Sequence, residues 1–216
     1  TRKESSAASD VYKRQVLMGM FGALAAVLML FEVPLPFLAP SFYGLDFAEV
    51  PMLVGTFALG PVAGIVMQIV KILIKLILKP TSTGFVGEFA NVVMSCALIL
   101  PAGFIYRFKK SKNGALAGMA VGTVLMAVAG VVMNALVMIP FYSNFMPIET
   151  IIKAGAAVNP AVSSVWTLAI FCVGPFNLVK GTLTSVITAV IYKRISVLIH
   201  GASHGTSGSY GVKKAV

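Results

Sequence analysis

Apolar residues fall in five long blocks, 16–31, 47–78, 85–106, 115–140 and 165–192, separated by short polar or proline-rich loops. A block of about twenty apolar residues matches a bilayer core of about 30 Å, and inside lipid only a helix or closed barrel satisfies the backbone hydrogen bonds. Each block therefore predicts helix. The 47–78 block is too long for one span, since at about 1.5 Å per residue it would reach about 48 Å. Gly60-Pro61 interrupts it at a natural break. The prediction is a short helix over 47–59, a second over 62–78, and six helices in all.

Charge placement tests that count. Lys and Arg collect at the cytoplasmic ends of spans. Six helices put Lys13 and Arg14, then Arg107, Lys109, Lys110 and Lys112, then Lys193 and Arg194 on one side, so both termini are expected to be cytoplasmic. Five helices would separate the 107–112 cluster from the N-terminus. Glu32, Asp46 and Glu149 then fall in external loops. Lys71, Lys75 and Lys79 recur every four residues at the outer end of the third helix and read as one face snorkelling to the interface.

Composition agrees: 58% of residues are hydrophobic and 11% charged, against about a quarter charged in soluble domains. The net charge of +10 is spread over span ends and not along one soluble face, which excludes a nucleic-acid stripe. Residues 1–15 are polar, unlike the membrane domain over 16–195, and read as a leader, a tag or a non-native junction, and 196–216 form a Gly/Ser-rich tail containing His200 and His204, expected to be disordered and without a metal role. Cys96 and Cys172 lie far apart in apolar blocks, without CxxC or a nearby histidine, and read as small hydrophobes.

Polar groups at membrane depth are costly and need a partner or a purpose. Asn134 lies deep in the fifth helix, Asn177 and Lys180 in the sixth, and Glu88 and Asn91 at the start of the fourth. Asn177 and Lys180 are three apart and share a face just after Gly174-Pro175, where a kink is expected. The asparagines alone suit helix-to-helix hydrogen bonding, and Lys180 alone suits an ion pair with Glu88. Together, against an apolar wall, donors and acceptors of this kind suit a planar heterocycle with alternating carbonyl and N–H groups. Catalysis is disfavoured, because no histidine lies within the spans and Asp46 is the single Asp beyond the leader. GPFNLVKGT has Val179 where a phosphate loop needs glycine. A self-sufficient ion-driven carrier would want more mid-depth carboxylates than Glu88.

LDFAEVPMLVGTFALGPVAGIV (45–66), TSTGFVGEFANVV (81–93), LVMIPFY (136–142) and GPFNLVKGTLTSVITAVIYKR (174–194) occur in this order. Together they resemble the riboflavin-specific S components of energy-coupling-factor (ECF) transporters, the RibU family. The resemblance implies an all-α, six-helix, non-enzymatic subunit of the bacterial plasma membrane. It would capture riboflavin and deliver it inward with a transmembrane coupling protein and two ATPases. It carries flavin contacts onto Asn134, Asn177 and Lys180, and, from the segment after the first external loop, onto Leu45, Asp46 and Phe47. Phe42 and Tyr43 are candidates to cover the ring. The small residues Gly19, Gly22, Ala23 and Ala26 look like the face that docks on the coupling protein, although ordinary internal packing would also use them. No metal or cofactor is implied. Riboflavin and FMN share the same ring, and a phosphate would suit the Lys71, Lys75, Lys79 stripe if it borders the site. A purely structural membrane protein and an independent carrier of another small heterocycle are the alternatives.

Overall fold

A computed structural model of the chain describes the backbone of residues 2–204 and the side chains of residue 8 and of 11–191. The side chains of His200 and His204 and the tail from 205 lie outside the described residues. The first helix, α1 (Arg2–Met29), runs without interruption from the polar leader into the first apolar block. A two-residue antiparallel pair, β1 (Val33–Pro34) with β2 (Gly44–Leu45), closes the loop that follows.

The long second block divides where the sequence predicts. Helix α2 (Glu49–Leu59) ends at Gly60, whose φ of 96° suits glycine, and α3 (Pro61–Leu78) begins with the proline at its first position. At eleven residues α2 is shorter than the other apolar helices, and Glu49 through Phe57 are all buried. It is a core helix wrapped by α1, α3, α4 (Val86–Phe108) and the last helix. Arg14 of α1 donates to the Leu59 carbonyl (2.9 Å), satisfying one of the orphan acceptors at the end of α2.

Two later helices change pitch midway. Helix α5 runs Lys112–Met133, widens to π-helix over Asn134–Met138 and resumes over Ile139–Tyr142. The last helix, α7, begins at Val165–Leu168, is π-helical over Ala169–Val173, and continues over Gly174–His204. In both, a proline (Pro140, Pro175) follows the wide turn by two residues. Proline has no N–H to donate and its ring crowds the preceding turn, so the ladder slips there to a five-residue repeat. The kink expected at Gly174-Pro175 takes this form. Between them lies α6 (Ile148–Val158), an amphipathic helix absent from the sequence-based count, whose Ile151 and Gly155 pack inward.

The described residues thus form seven helices, of which five are long and apolar enough to cross a membrane, with α2 as a shorter apolar helix. One core cluster, around Met52, Leu53, Met67, Leu98 and Met126, joins α1–α5. A second, around Leu45, Ile139, Ile151, Leu168 and Phe176, gathers the loop, α6 and the wide turns at one end.

The small-residue face of α1 is divided. Gly22 and Ala26 are buried, and a Cβ on Gly22 would fall 2.7 Å from Val70, so this pair serves close packing of α1 on α3 within the chain. Gly19, with nothing within 4 Å of a Cβ, and the half-buried Ala23 stay accessible.

Candidate functional site

The wide turns matter because of what stands beside them. Asn134 opens the π segment of α5, and its Nδ2 donates back to the Gly130 carbonyl (2.8 Å). Asn177 sits one turn after the π segment of α7, and its Nδ2 donates to the Val173 carbonyl (3.0 Å). Both side chains line a cavity of about 280 Å³, near the lower end of the size range of ligand pockets. They meet at Gly130, where a Cβ would lie 2.5 Å from Asn177 Nδ2. Glycine is required there by space, so that α5 and α7 can bring two amides together.

The loop before α2 completes the wall. Tyr43 donates its hydroxyl to Asn134 Oδ1 (2.7 Å) and packs against Phe42 and Phe176. Burial pushes the phenol above its ordinary value, so it stays a donor at any physiological pH. Three residues on, Asp46 Oδ2 accepts from Lys180 Nζ (2.7 Å) while its Oδ1 accepts from the Ala48 N–H (2.9 Å). Burial pushes the Asp46 carboxyl up, but the charge and hydrogen bond of Lys180, with Lys71 and the Ala48 N–H, outweigh it and hold the group below its ordinary range. One short segment is therefore fastened to α5 through Tyr43 and to α7 through Asp46.

These bonds leave defined capacity unused. Asn177 Oδ1 has no partner among the described residues, each amide nitrogen retains a second N–H, and Lys180 retains two. The cavity offers donors and an acceptor together, next to the aromatic faces of Phe42, Tyr43 and Phe176 and the methionines Met94, Met126 and Met138. Among the described residues no cluster of three or more His, Cys, Asp or Glu could hold a metal ion. The arrangement is suited to holding a flat polar-edged molecule.

Two lysines of the stripe, Lys71 and Lys75, are paired inside the protein instead of snorkelling. Lys71 is fully buried and donates to Glu49 Oε1 (3.0 Å) and Ser95 Oγ (3.1 Å), tying α3 to α2 and α4. Lys75 pairs with Glu88, whose other oxygen accepts from Thr81 and Thr83 in the α3–α4 loop. Lys79 is exposed at the cavity rim. A helix rotated to put Lys71 against Glu49 cannot send it to the interface; the buried acid decides the orientation. The partner expected for Lys180 also differs, because Glu88 is taken by Lys75 and Lys180 reaches Asp46 instead. Asn91 accepts from Gln68 Nε2 (3.1 Å), and Glu88 and Asn91 both line the cavity.

Of the six residues assigned from the resemblance, Asn134, Asn177, Lys180 and Asp46 share the cavity wall. Leu45 and Phe47 are absent from that wall: they turn into the second core cluster, because alternate residues of the extended segment around β2 face opposite sides. Glu49, the one acid inside the 47–59 block, also lines the cavity and is not among the residues assigned from the sequence. A carboxylate there, some twenty residues before Lys71, was the available signal.

Comparison with known proteins gives the family. The family described as "ECF transporter, substrate-specific component" matches residues 13–192. The riboflavin transporter RibU of Staphylococcus aureus (strain TCH60) is 30% identical over 184 residues, 85% of this chain and 90% of that protein. The riboflavin transporter FmnP of Bacillus subtilis (strain 168) is 28% identical over 186 residues, 85% of this chain and 92% of that protein. A solved structure described as "Structure and mechanism of the S component of a bacterial ECF transporter" superposes with a TM-score of 0.68 at 30% identity, covering 87% of this chain and 98% of the other. Family model, relatives and solved fold converge: the chain belongs to the substrate-specific components of ECF transporters, multi-pass membrane subunits that bind a substrate for a separate energizing module and are not themselves enzymes.

Proposed function

We propose that this chain captures riboflavin at the cavity between the first loop, α5 and α7 and delivers it inward with a coupling protein and two ATPases. The observation that carries the reading is that Asn134, Asn177 and Lys180, from two helices, line one cavity. Their spare groups complement a flavin's pyrimidine edge, where two carbonyls flank an N–H. Asn177 Oδ1 is the acceptor for that N–H, and Lys180 and the spare Asn134 N–H are donors to the carbonyls. Every buried lysine at or behind the wall already has a carboxylate partner, which leaves the interior balanced for an uncharged ligand. The relatives named as riboflavin transporters support the choice of ligand.

In this reading α1–α5 and α7 form the six-helix membrane unit, with both termini cytoplasmic. The basic ends at 13–14, 107–112 and 193–194 then share one side. Gly19 and Ala23, the accessible part of the α1 small-residue face, are assigned to the coupling protein.

An absorbance spectrum of the purified protein, followed by flavin titration, tests the ligand. Bound flavin colours the preparation, and Asn177→Ala weakens binding about tenfold, the loss of about 1.4 kcal/mol of hydrogen bonding. A preparation that neither carries nor binds riboflavin ends the ligand assignment. Parent-like affinity in Asn177→Ala ends the site assignment.

A further inference from the structure

A second, larger concavity of about 1220 Å³ lies apart from the polar cavity, on the outer side of the α5–α7 pair. Its walls are apolar stripes at helical spacing, including Leu116 and Ala120 on α5 and Val186 and Ala189 on α7. The two helices touch where Gly181 meets Thr123, a Cβ on Gly181 falling 2.8 Å from the threonine methyl. The hydroxyls of Thr123 and Ser185 lie 3.4 Å apart and partner each other, so the floor offers little to water. Leu116, Ala120, Val124, Val186 and Val190 are exposed along it, so the groove opens sideways, toward the bilayer.

One end of this groove is charged. Lys112 lines it, at the start of α5, and Arg107, Lys109 and Lys110 stand just before it, all exposed. Between Glu88 and Glu149 the sequence contains no acidic residue, so nothing nearby in sequence offsets these four charges. From Lys112 to Val124 the groove follows α5 for about 18 Å at 1.5 Å per residue, close to the ~15 Å depth of one leaflet's hydrocarbon. A groove that starts at a cationic interface and stops near the midplane has the dimensions of an acyl chain under its headgroup.

We infer that this groove is a binding site for an anionic phospholipid, with an acyl chain along the α5–α7 stripes and the phosphate at Lys112. Basic pockets between helices at a membrane face bind anionic headgroups on the same physical grounds. The site is independent of the flavin reading, because it shares no wall residue with the polar cavity.

Native mass spectrometry of the purified protein with equal phosphatidylglycerol and phosphatidylcholine tests it. The parent retains phosphatidylglycerol preferentially. Lys112→Ala lowers that retention about fivefold, the effect of one basic residue near an anionic surface, and leaves phosphatidylcholine unchanged. Ala189→Trp fills the groove and removes both adducts, while a parent-like thermal unfolding temperature, measured on the same preparation, confirms that the variant is folded. Equal retention of both lipids by the parent, or parent-like phosphatidylglycerol retention in both variants, overturns the inference. If Ala189→Trp keeps its lipid adducts but no longer assembles with the energizing module, the groove is a protein interface and the inference is likewise overturned.

Discussion

Replacing Lys180 separates its two duties. The Lys180–Asp46 pair is buried, with the two residues 7% and 3% exposed, and joins α7 to the loop before α2. Lys180→Met leaves the Asp46 carboxylate buried with only the Ala48 N–H, and stranding one member of a buried pair costs about 3–5 kcal/mol. Flavin affinity falls too, because a charge-assisted hydrogen bond worth about 1.5–3 kcal/mol is lost, roughly ten- to hundredfold. The double variant Asp46→Asn/Lys180→Met removes both charges and keeps an acceptor for Ala48. Neutral replacement of a buried pair is often nearly neutral for stability, so thermal unfolding in detergent should return close to the parent's. Affinity, measured by quenching of riboflavin fluorescence, should not return. If the double variant regains both, Lys180 is only a structural cation and the contact assignment fails. If the single variant unfolds at the parent's temperature, the pair does not hold the loop.

Further outcomes follow from the same geometry. Gly130→Ala puts a methyl 2.5 Å from Asn177 Nδ2 and should cost about 1–3 kcal/mol by overpacking, with flavin titration showing weaker binding. Lys71→Met strands Glu49 between α2, α3 and α4 and should lower the unfolding temperature more than Lys79→Met, whose side chain is exposed; Glu49→Gln/Lys71→Met should recover most of the difference. Because the Asp46 carboxyl is held below its ordinary value of 3.8, its contribution to stability is complete above that value and is lost as pH falls through the lower folded one. Unfolding scans should therefore show an acid-side loss that is smaller in Asp46→Asn/Lys180→Met than in the parent.

Much of this architecture was legible residue by residue. The spans, the break at Gly60-Pro61 and the depth of Asn134, Asn177 and Lys180 follow from apolar run length and the backbone chemistry of glycine and proline. Helix α6 was missed because its eleven residues, with Glu149 and Lys153, form an amphipathic surface helix and not an apolar run. Tyr43 was legible as an aromatic cover but not as the donor to Asn134, ninety-one residues away. Leu45 and Phe47 were assigned with Asp46 as a contiguous segment, and only the turn of the chain at β2 separates the residue that faces the cavity from the two that face the core.

The sequence by itself determined that this is a helical membrane protein with a few polar side chains at depth, because bilayer thickness and hydrogen-bond satisfaction act on short stretches of chain. The tertiary structure alone decided the partners: Lys71 with Glu49, Lys75 with Glu88, and Lys180 with Asp46, 134 residues distant. Such choices depend on how each helix is rotated about its axis, and that rotation is set by packing at glycines such as Gly22 and Gly130 together with the cost of leaving a buried charge unpaired.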